Sequence, residues 1–154
     1  GCRRILCLRS NSRMRMPANK RTDAYLDVVE QAGLSALVRE VEFVKPDDEK
    51  GAVVAKILDE NPDIDGIFAG DDTMAAICLN VMKQRGLSAP DDIKVVGADG
   101  ARRTMTFMPD LTTVRQDIDR IGELAAQSII ALINGEKPES NIKLPVELIE
   151  GKTA

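Results

Sequence analysis

Residues 66–75, Gly-Ile-Phe-Ala-Gly-Asp-Asp-Thr-Met-Ala, decide the fold of this chain. The apolar run 66–69 is too short for a helix and predicts a buried strand. Gly70 lets the backbone turn, and Asp71 and Asp72 follow where a helix begins, with apolar residues recurring every three or four positions beyond them. Carboxylates are therefore expected between the end of a buried strand and the start of a helix. Open parallel α/β sheets bind ligands at this edge.

The two aspartates can each play one of two roles. An aspartate at a helix N-cap accepts a backbone hydrogen bond worth about 1 kcal/mol. We predict this structural role for Asp72. Asp71 lies one residue earlier, so capping and facing a ligand crevice are equally open to it.

Strand and helix patterns alternate on either side of this stretch. Strands are predicted at 4–8, 37–43, 66–69 and 93–98. Helices are predicted at about 22–32, from Pro46 to Asn61, and after Asp72 until Gly86. Right-handed crossovers between successive strands would lay them side by side. The sequence therefore predicts an α/β fold with an open parallel sheet flanked by helices.

The alternation stops near residue 100. Residues 101–110 predict an irregular loop, and 111–114 form a short β-prone piece. A long amphipathic helix is predicted from Asp117 to Ile133. A last strand, of the edge type, is predicted at 144–149 because Pro145 lies near its start.

Charge and composition exclude several classes of protein. The net charge is -4, but residues 1–22 hold seven basic residues and no acidic one, so the remaining chain is strongly acidic. An acidic body does not suit direct nucleic-acid binding. Three cysteines at these spacings form no disulfide framework, and no apolar run reaches transmembrane length. We expect a soluble protein of the cytoplasm that does not contact a membrane.

Catalytic chemistry finds little support in the sequence. The chain has no histidine, which excludes Ser-His and Cys-His dyads. No phosphate-binding glycine signature and no dinucleotide fingerprint appear. Asp71 and Asp72 are weak as a magnesium site without further ligands. We expect no catalytic residue, no metal and no cofactor.

Three polar side chains are expected at one edge of the sheet. Asp71 and Asp99 each follow a strand, and Arg21 opens the helix after the first strand. Carboxylates accept hydrogen bonds from hydroxyls, and a guanidinium donates to ring or hydroxyl oxygens. Such a set of acceptors and donors suits a polyhydroxylated ligand such as a sugar.

Longer motifs resemble the LacI/GalR family of transcriptional regulators from the first strand to the last residues. Matching segments occur in the family's order at 68–75 (FAGDDTMA), 86–93 (GLSAPDDI), 95–99 (VVGAD), 111–116 (LTTVRQ) and 144–153 (LPVELIEGKT).

The resemblance implies part of an effector-binding core built like periplasmic sugar-binding proteins, with flavodoxin-like topology and an incomplete second lobe. Residues 1–110 would form the C-terminal subdomain, 111–135 would belong to the N-terminal subdomain, and 136–154 would return to the first. A DNA-binding domain would precede Gly1. The long helix would lack its usual packing partner, and we expect it to be displaced or buried against a second subunit.

The family's effector-binding positions map onto five residues here. Arg21 matches the effector-binding arginine, Asp71 a polar position that is often asparagine, and Asp99 the carboxylate that binds effector hydroxyls. Gln116 resembles a crossover residue near the cleft. Phe43 matches an aromatic that stacks on the ligand, with core packing as the equal alternative.

Two departures and one loop add to this picture. Gly100 stands where the family commonly has a second acid, and Asp71 replaces an amide, so the resemblance does not name the effector. Residues 105–108 resemble part of the family's dimer interface, with ordinary loop packing as the alternative.

The sequence thus predicts a sugar-responsive repressor, homodimeric, that binds operator DNA through a domain outside these residues. Its ending favours a sucrose-type or related carbohydrate, and Arg13 and Arg15 leave room for a phosphorylated one. The alternatives are a transport-linked sugar-binding protein and, behind it, a magnesium-dependent enzyme of flavodoxin-like fold.

Overall fold

A computed structural model describes residues 1–11 and 18–154. Arg13 and Arg15, which were considered above for a phosphorylated carbohydrate, lie outside the described residues. The strands of the described chain are β1 (Ile5–Asn11), β2 (Leu37–Glu42), β3 (Gly66–Ala69), β4 (Lys94–Asp99), β5 (Thr112–Gln116) and β6 (Val146–Ile149). Its helices are α1 (Ala18–Gln31), α2 (Asp47–Glu60), α3 (Asp72–Gln84), α4 (Arg102–Phe107) and α5 (Ile118–Ile133).

All six strands belong to one sheet in the order β2-β1-β3-β4-β5-β6. The first five run parallel, and β6 pairs antiparallel with β5 at the edge. This confirms the predicted open parallel sheet, and the order 2-1-3-4-5 is the flavodoxin-like one. The carboxyl ends of five strands therefore meet along a single rim of the sheet.

The two faces of the sheet carry separate apolar clusters. Side chains of β1, β3 and β4 pack with α2 and α3 in the larger cluster, which contains Leu8, Val54 and Val95. On the opposite face, Tyr25 and Val29 of α1 cover Cys7. The hydroxyl of Tyr25 donates to the Ile5 carbonyl at 2.7 Å and accepts from the Leu37 amide at 2.9 Å. The polar end of this buried ring thereby joins α1 to β1 and β2.

All three cysteines are free thiols, as the spacing predicts. Cys78 is fully buried within α3, and desolvation raises its pKa to about 12.

Residues 101–110, predicted as an irregular loop, contain the helix α4. The Met105 amide donates to the Ala101 carbonyl at 3.0 Å, and the Met108 amide to the Thr104 carbonyl at 2.8 Å. The prediction was wrong because the helix-breaking residues, Gly100 and Pro109, lie only at the two ends of this segment. The residues between them can form a short helix.

Smaller differences concern the ends of other elements. Helix α1 begins at Ala18 rather than near Thr22, and β1 runs on to Asn11 because it pairs with β2 as far as Glu42. At the other end of the chain, β6 begins at Val146.

The segment predicted to belong to a second lobe, 111–135, has two parts in this structure. Strand β5 pairs with β4 and is continuous with the sheet. Helix α5 follows, and against the described chain none of its residues is buried. Its large apolar side chains are therefore open to solvent; they are Ile118, Ile121, Ile129, Ile130, Leu132 and Ile133. The assignment of 111–135 to a second lobe stays a prediction.

Residues 151–153 return from β6 and close the start of β5 against β4. The Val95 amide donates to the Thr153 carbonyl at 2.6 Å, while the Thr153 hydroxyl donates to the Val95 carbonyl at 2.7 Å. The same hydroxyl accepts from the Thr112 amide at 2.9 Å. Thr153 is consequently buried although it is the penultimate residue of the described chain.

Candidate ligand-binding site

Three polar side chains converge at the rim formed by the strand ends. The Arg21 guanidinium donates from Nη2 to Asp99 Oδ1 at 2.7 Å, and the Gln116 amide donates from Nε2 to the same oxygen at 2.7 Å. Arg21 also donates from Nη1 to the Gly70 carbonyl at 2.6 Å. Three of the five predicted positions thus form one hydrogen-bonded group, which spans α1, β3, β4 and β5.

Asp99 reaches this group through an unusual backbone conformation. It is the last residue of β4 and has a φ of 113°, a region that side-chain-bearing residues seldom occupy. Its side chain keeps 35% of its surface exposed, and that of Arg21 keeps 26%. The carboxylate and the guanidinium therefore remain accessible while they are paired with each other.

Asp71 lies beside this group but caps a helix. Its side chain accepts from the Met74 amide at 2.8 Å at the N-terminus of α3, and the Ser10 hydroxyl donates to its other oxygen at 3.4 Å. The prediction that Asp72 is the cap was wrong. Asp72 is already the first residue of α3, and the residue before it, Asp71, is the N-cap. Asp71 remains partly exposed and follows Gly70, whose carbonyl accepts from Arg21.

Asp72 lies beneath the rim with only 2% of its surface exposed. The Gly100 amide donates to its Oδ2 at 2.8 Å, and the Thr113 hydroxyl donates to its Oδ1 at 2.6 Å. Desolvation raises the pKa of this carboxyl. Sequence reasoning did not assign this role. The signal it missed is the pair of glycines at 97 and 100, at the end of β4 and just after it, which leave room for the carboxylate that follows the neighbouring strand β3.

Phe43 follows β2 at the same rim, two strands away from β3. Its amide donates to the Asn11 carbonyl at 3.1 Å, and the Lys50 ammonium lies 5.8 Å from the centre of its ring. Phe43 is 52% exposed, so the alternative of core packing does not hold. No described contact joins Phe43 to Arg21 or Asp99, and its predicted stacking role stays a prediction.

The exposed groups of this rim can form hydrogen bonds with a hydroxylated ligand. Asp71 and Asp99 offer carboxylate oxygens, while Arg21 and Gln116 offer N–H donors. A cavity of about 560 Å³ adjoins the group, bordered by Gly100, α4, the end of β5 and β6.

Residues 1–11 and 18–154 lack the features of two other classes of site. They contain no cluster of three or more acidic or cysteine side chains placed to hold a metal ion. None of the helices within them has the length and apolar character needed to cross a lipid bilayer.

Comparison with known proteins places this geometry in a family. Residues 1–154 match the periplasmic binding protein-like domain. The ribose operon repressor of Halalkalibacterium halodurans is 32% identical over 99% of this chain and 46% of its own length. The sucrose operon repressor of Pediococcus pentosaceus is 31% identical over 100% of this chain and 48% of its own length. The chain therefore spans about half the length of the curated relatives it matches.

Solved structures show the same fold. A LacI-family transcriptional regulator from Corynebacterium glutamicum superposes with a TM-score of 0.87 at 24% identity, covering 99% of this chain and 50% of that one. A LacI-family regulator from Arthrobacter sp. FB24 in complex with lactose gives a TM-score of 0.81 at 26% identity, over 99% and 57% of the two chains. The chain belongs to the periplasmic binding protein-like domain family, and the proteins it resembles along its whole length are LacI-family regulators.

Proposed function

We propose that this chain is the effector-binding portion of a sugar-responsive repressor of transcription. The observation that carries the proposal is the group formed by Arg21, Asp99 and Gln116 at the carboxyl rim of the sheet. Acceptors and donors that alternate within hydrogen-bonding distance match the vicinal hydroxyls and ring oxygen of a carbohydrate. The relatives are ribose and sucrose operon repressors, and their names support the same ligand class.

The proposed response is a shift between two arrangements of two lobes. Gln116 is the last residue of β5, and α5 begins two residues later. A ligand hydroxyl bound at Asp99 would compete with Gln116 for this carboxylate and so act at the point where the chain leaves the sheet. We propose that α5 belongs to a second lobe, which covers its apolar face and closes the site from above. DNA-binding domains elsewhere in the protein would change their spacing as the lobes move.

A homodimer is part of this proposal. In α4, Phe107 is 76% exposed, whereas Met108, directly after α4, is partly buried against the core. A groove of about 620 Å³ runs between α2 and α3 and is lined in part by Gly51 and Ala76. Small residues let another chain approach closely, and this groove and α4 are the surfaces that we assign to the second subunit.

The free cysteines and the aspartates Asp71 and Asp72 decide between a regulator and the two alternatives. A transport-linked binding protein would work outside the cytoplasm, where cysteines are commonly paired in disulfides, whereas the three cysteines of this chain are free thiols, so we place the protein in the cytoplasm. A magnesium-dependent enzyme would need Asp71 and Asp72 to share a metal. They point in different directions: Asp71 caps α3, and Asp72 is buried against Gly100. We therefore propose a binding protein without catalytic activity.

Calorimetric titration of the intact protein with neutral and phosphorylated sugars tests this function. We expect one sugar to bind and Arg21→Ala or Asp99→Ala to weaken it at least about tenfold, because each removes a charge-assisted hydrogen bond. Arg85→Ala is the matched control, since Arg85 forms an ion pair of similar length, 2.8 Å, with Asp59 at the other end of α3.

Two results would count against the proposal. One is unchanged affinity in both Arg21→Ala and Asp99→Ala. The other is magnesium-dependent phosphatase activity that Asp71→Asn abolishes, which would favour the enzyme instead.

A further inference from the structure

The turn formed by Asp99 and Gly100 holds Asp99 in a conformation that a non-glycine residue does not favour. Asp99 has a φ of 113° and Gly100 a φ of 59°. A non-glycine residue in such a region is strained and persists only where its surroundings fix it. Something outside the turn must therefore supply the constraint.

The carboxylate of Asp72 contacts this turn from below. It accepts from the Gly100 amide at 2.8 Å, and a Cβ placed on Gly97 would lie 2.5 Å from its Oδ1. The turn thus lies against a buried carboxylate, and Gly97, within β4, is the residue that makes space for it. Because Asp72 opens α3, the carboxylate ties the turn to the helix that Asp71 caps.

Thr113 fixes the orientation of the Asp72 carboxylate through its second oxygen. Thr113 of β5 donates to Oδ1 at 2.6 Å, and Thr113 is fully buried. Helix α3, the end of β4 and strand β5 meet at this one carboxylate. These are three of the elements that bring Asp71, Asp99 and Gln116 to the rim.

We propose that Asp72 is a positioning residue that holds Asp99 in the orientation required for effector binding, an inference that rests on the proposed function. Asp72 does not touch the ligand. It anchors the amide that follows Asp99, and so keeps the Asp99 carboxylate directed at Arg21 and Gln116. A purely structural role, in which Asp72 joins α3 to the sheet, would affect stability and leave the geometry of Asp99 unchanged.

The first test needs no ligand. In the intact protein, NMR should show the Gly100 amide exchanging with deuterated solvent as slowly as the amides of β4. Asp72→Ala should speed that exchange at least about tenfold and alter the Asp99 backbone coupling constant, because the acceptor is lost. Gly100 exchange at the rate of an open loop in the wild-type protein would overturn the proposal, whether or not Asp72→Ala folds.

The second test is a double-mutant cycle in sugar affinity, with D-ribose and sucrose as probes. Asp72→Ala should weaken the probe that binds by about tenfold in the wild-type background and by less than about twofold in the Asp99→Ala background. Asp72→Asn should restore affinity, since its oxygen can accept from Gly100 while its amide donates to Thr113.

The outcomes separate the two proposals. An equal loss in both backgrounds means that Asp72 acts through overall stability, which overturns the positioning role. If neither probe binds the wild-type protein, the proposed function loses support, and the exchange and coupling measurements decide on Asp72 alone.

Discussion

At the scale of single residues, the adjacent aspartates Asp71 and Asp72 have different roles. Asp71 caps α3 and remains partly exposed, whereas Asp72 is buried. Capping propensity alone does not distinguish them, because both are good N-cap residues and a shift of one position exchanges their roles. The deciding contacts come from Gly100 and Thr113, which are 28 and 41 residues away in the chain.

The pH dependence of stability should report on the burial of Asp72. Its pKa in the folded chain is raised above the ordinary value of 3.8, so the folded state holds this proton more tightly than the unfolded state does. The stability that this proton contributes is complete below about 3.8 and is lost as the pH rises through the raised folded pKa. Each unit of that rise corresponds to about 1.4 kcal/mol.

Urea unfolding of the wild-type protein and Asp72→Asn between pH 4 and pH 7 measures this effect. Asp72→Asn has no titrating group, so the stability of the wild-type protein relative to the variant should fall with increasing pH and then level off. A difference that stays constant or increases over this range would contradict the prediction.

Gly100 occupies a position where a side chain has no room. Its φ is 59°, and an added Cβ would lie 2.6 Å from Cα of Arg115. Gly86 is a matched control, since its φ is 73° and nothing lies within 4 Å of an added Cβ. We expect Gly86→Ala to cost about 1 kcal/mol of unfolding free energy and Gly100→Ala at least about 2 kcal/mol more. Equal losses in urea unfolding would show that the contact with Arg115 is not limiting.

At the scale of elements, the sequence predicts those that form buried periodic patterns and fails where the pattern is short. Strands β1 to β4 and helices α2 and α3 are found where apolar periodicity places them. Helix α4 has six residues, none of them buried, so periodicity carries no information about it. Helix α5 shows the reverse case: its apolar periodicity predicts a helix correctly, yet the face it defines is uncovered.

Charged substitutions on α5 should be tolerated in the 154-residue chain. Ile129 and Leu132 are 58% and 61% exposed, so Ile129→Lys and Leu132→Lys remove little buried surface. We expect changes in unfolding free energy within about 0.5 kcal/mol, together with less self-association in sedimentation. Ile57→Lys on α2, where Ile57 is 5% exposed, is the control and should cost more than about 3 kcal/mol. A loss above about 2 kcal/mol on α5 would show that its apolar face packs within this chain.

At the scale of the whole molecule, the predicted parallel order of strands is what brings the site together. Arg21, Asp99 and Gln116 are far apart in sequence, and their convergence follows from placing the carboxyl ends of adjacent strands on one rim. The sequence could not predict which side chains pair with which, because Asp99 depends on a strained backbone and Asp72 on long-range contacts. The sequence also could not place Phe43 relative to Arg21, Asp99 and Gln116. Phe43 follows an edge strand, and beyond the strand the alternation of side chains no longer indicates which way a residue points.

Thr153→Val should destabilise the whole sheet rather than one end of it. The substitution keeps the shape of the side chain and removes a hydroxyl that serves both the Val95 carbonyl and the Thr112 amide. We expect a loss of about 1–3 kcal/mol in urea unfolding, because two buried backbone groups lose their partner. Thr106→Val, on the exposed side of α4, is the control and should change stability by less than about 0.5 kcal/mol. Equal, small effects would mean that water replaces the hydroxyl at the junction.

The junction that Thr153 forms between β4 and β5 also affects when the sheet can be completed during protein synthesis. Thr153 is translated 58 residues after Val95, yet the backbone groups of Val95 depend on it. Until residues 151–153 have been synthesised and released from the ribosome, the junction between β4 and β5 is incomplete. Nascent chains stalled before residue 151 should therefore be far more susceptible to protease than chains stalled far enough downstream to release Thr153, so the release of residues 151–153 would complete the native sheet.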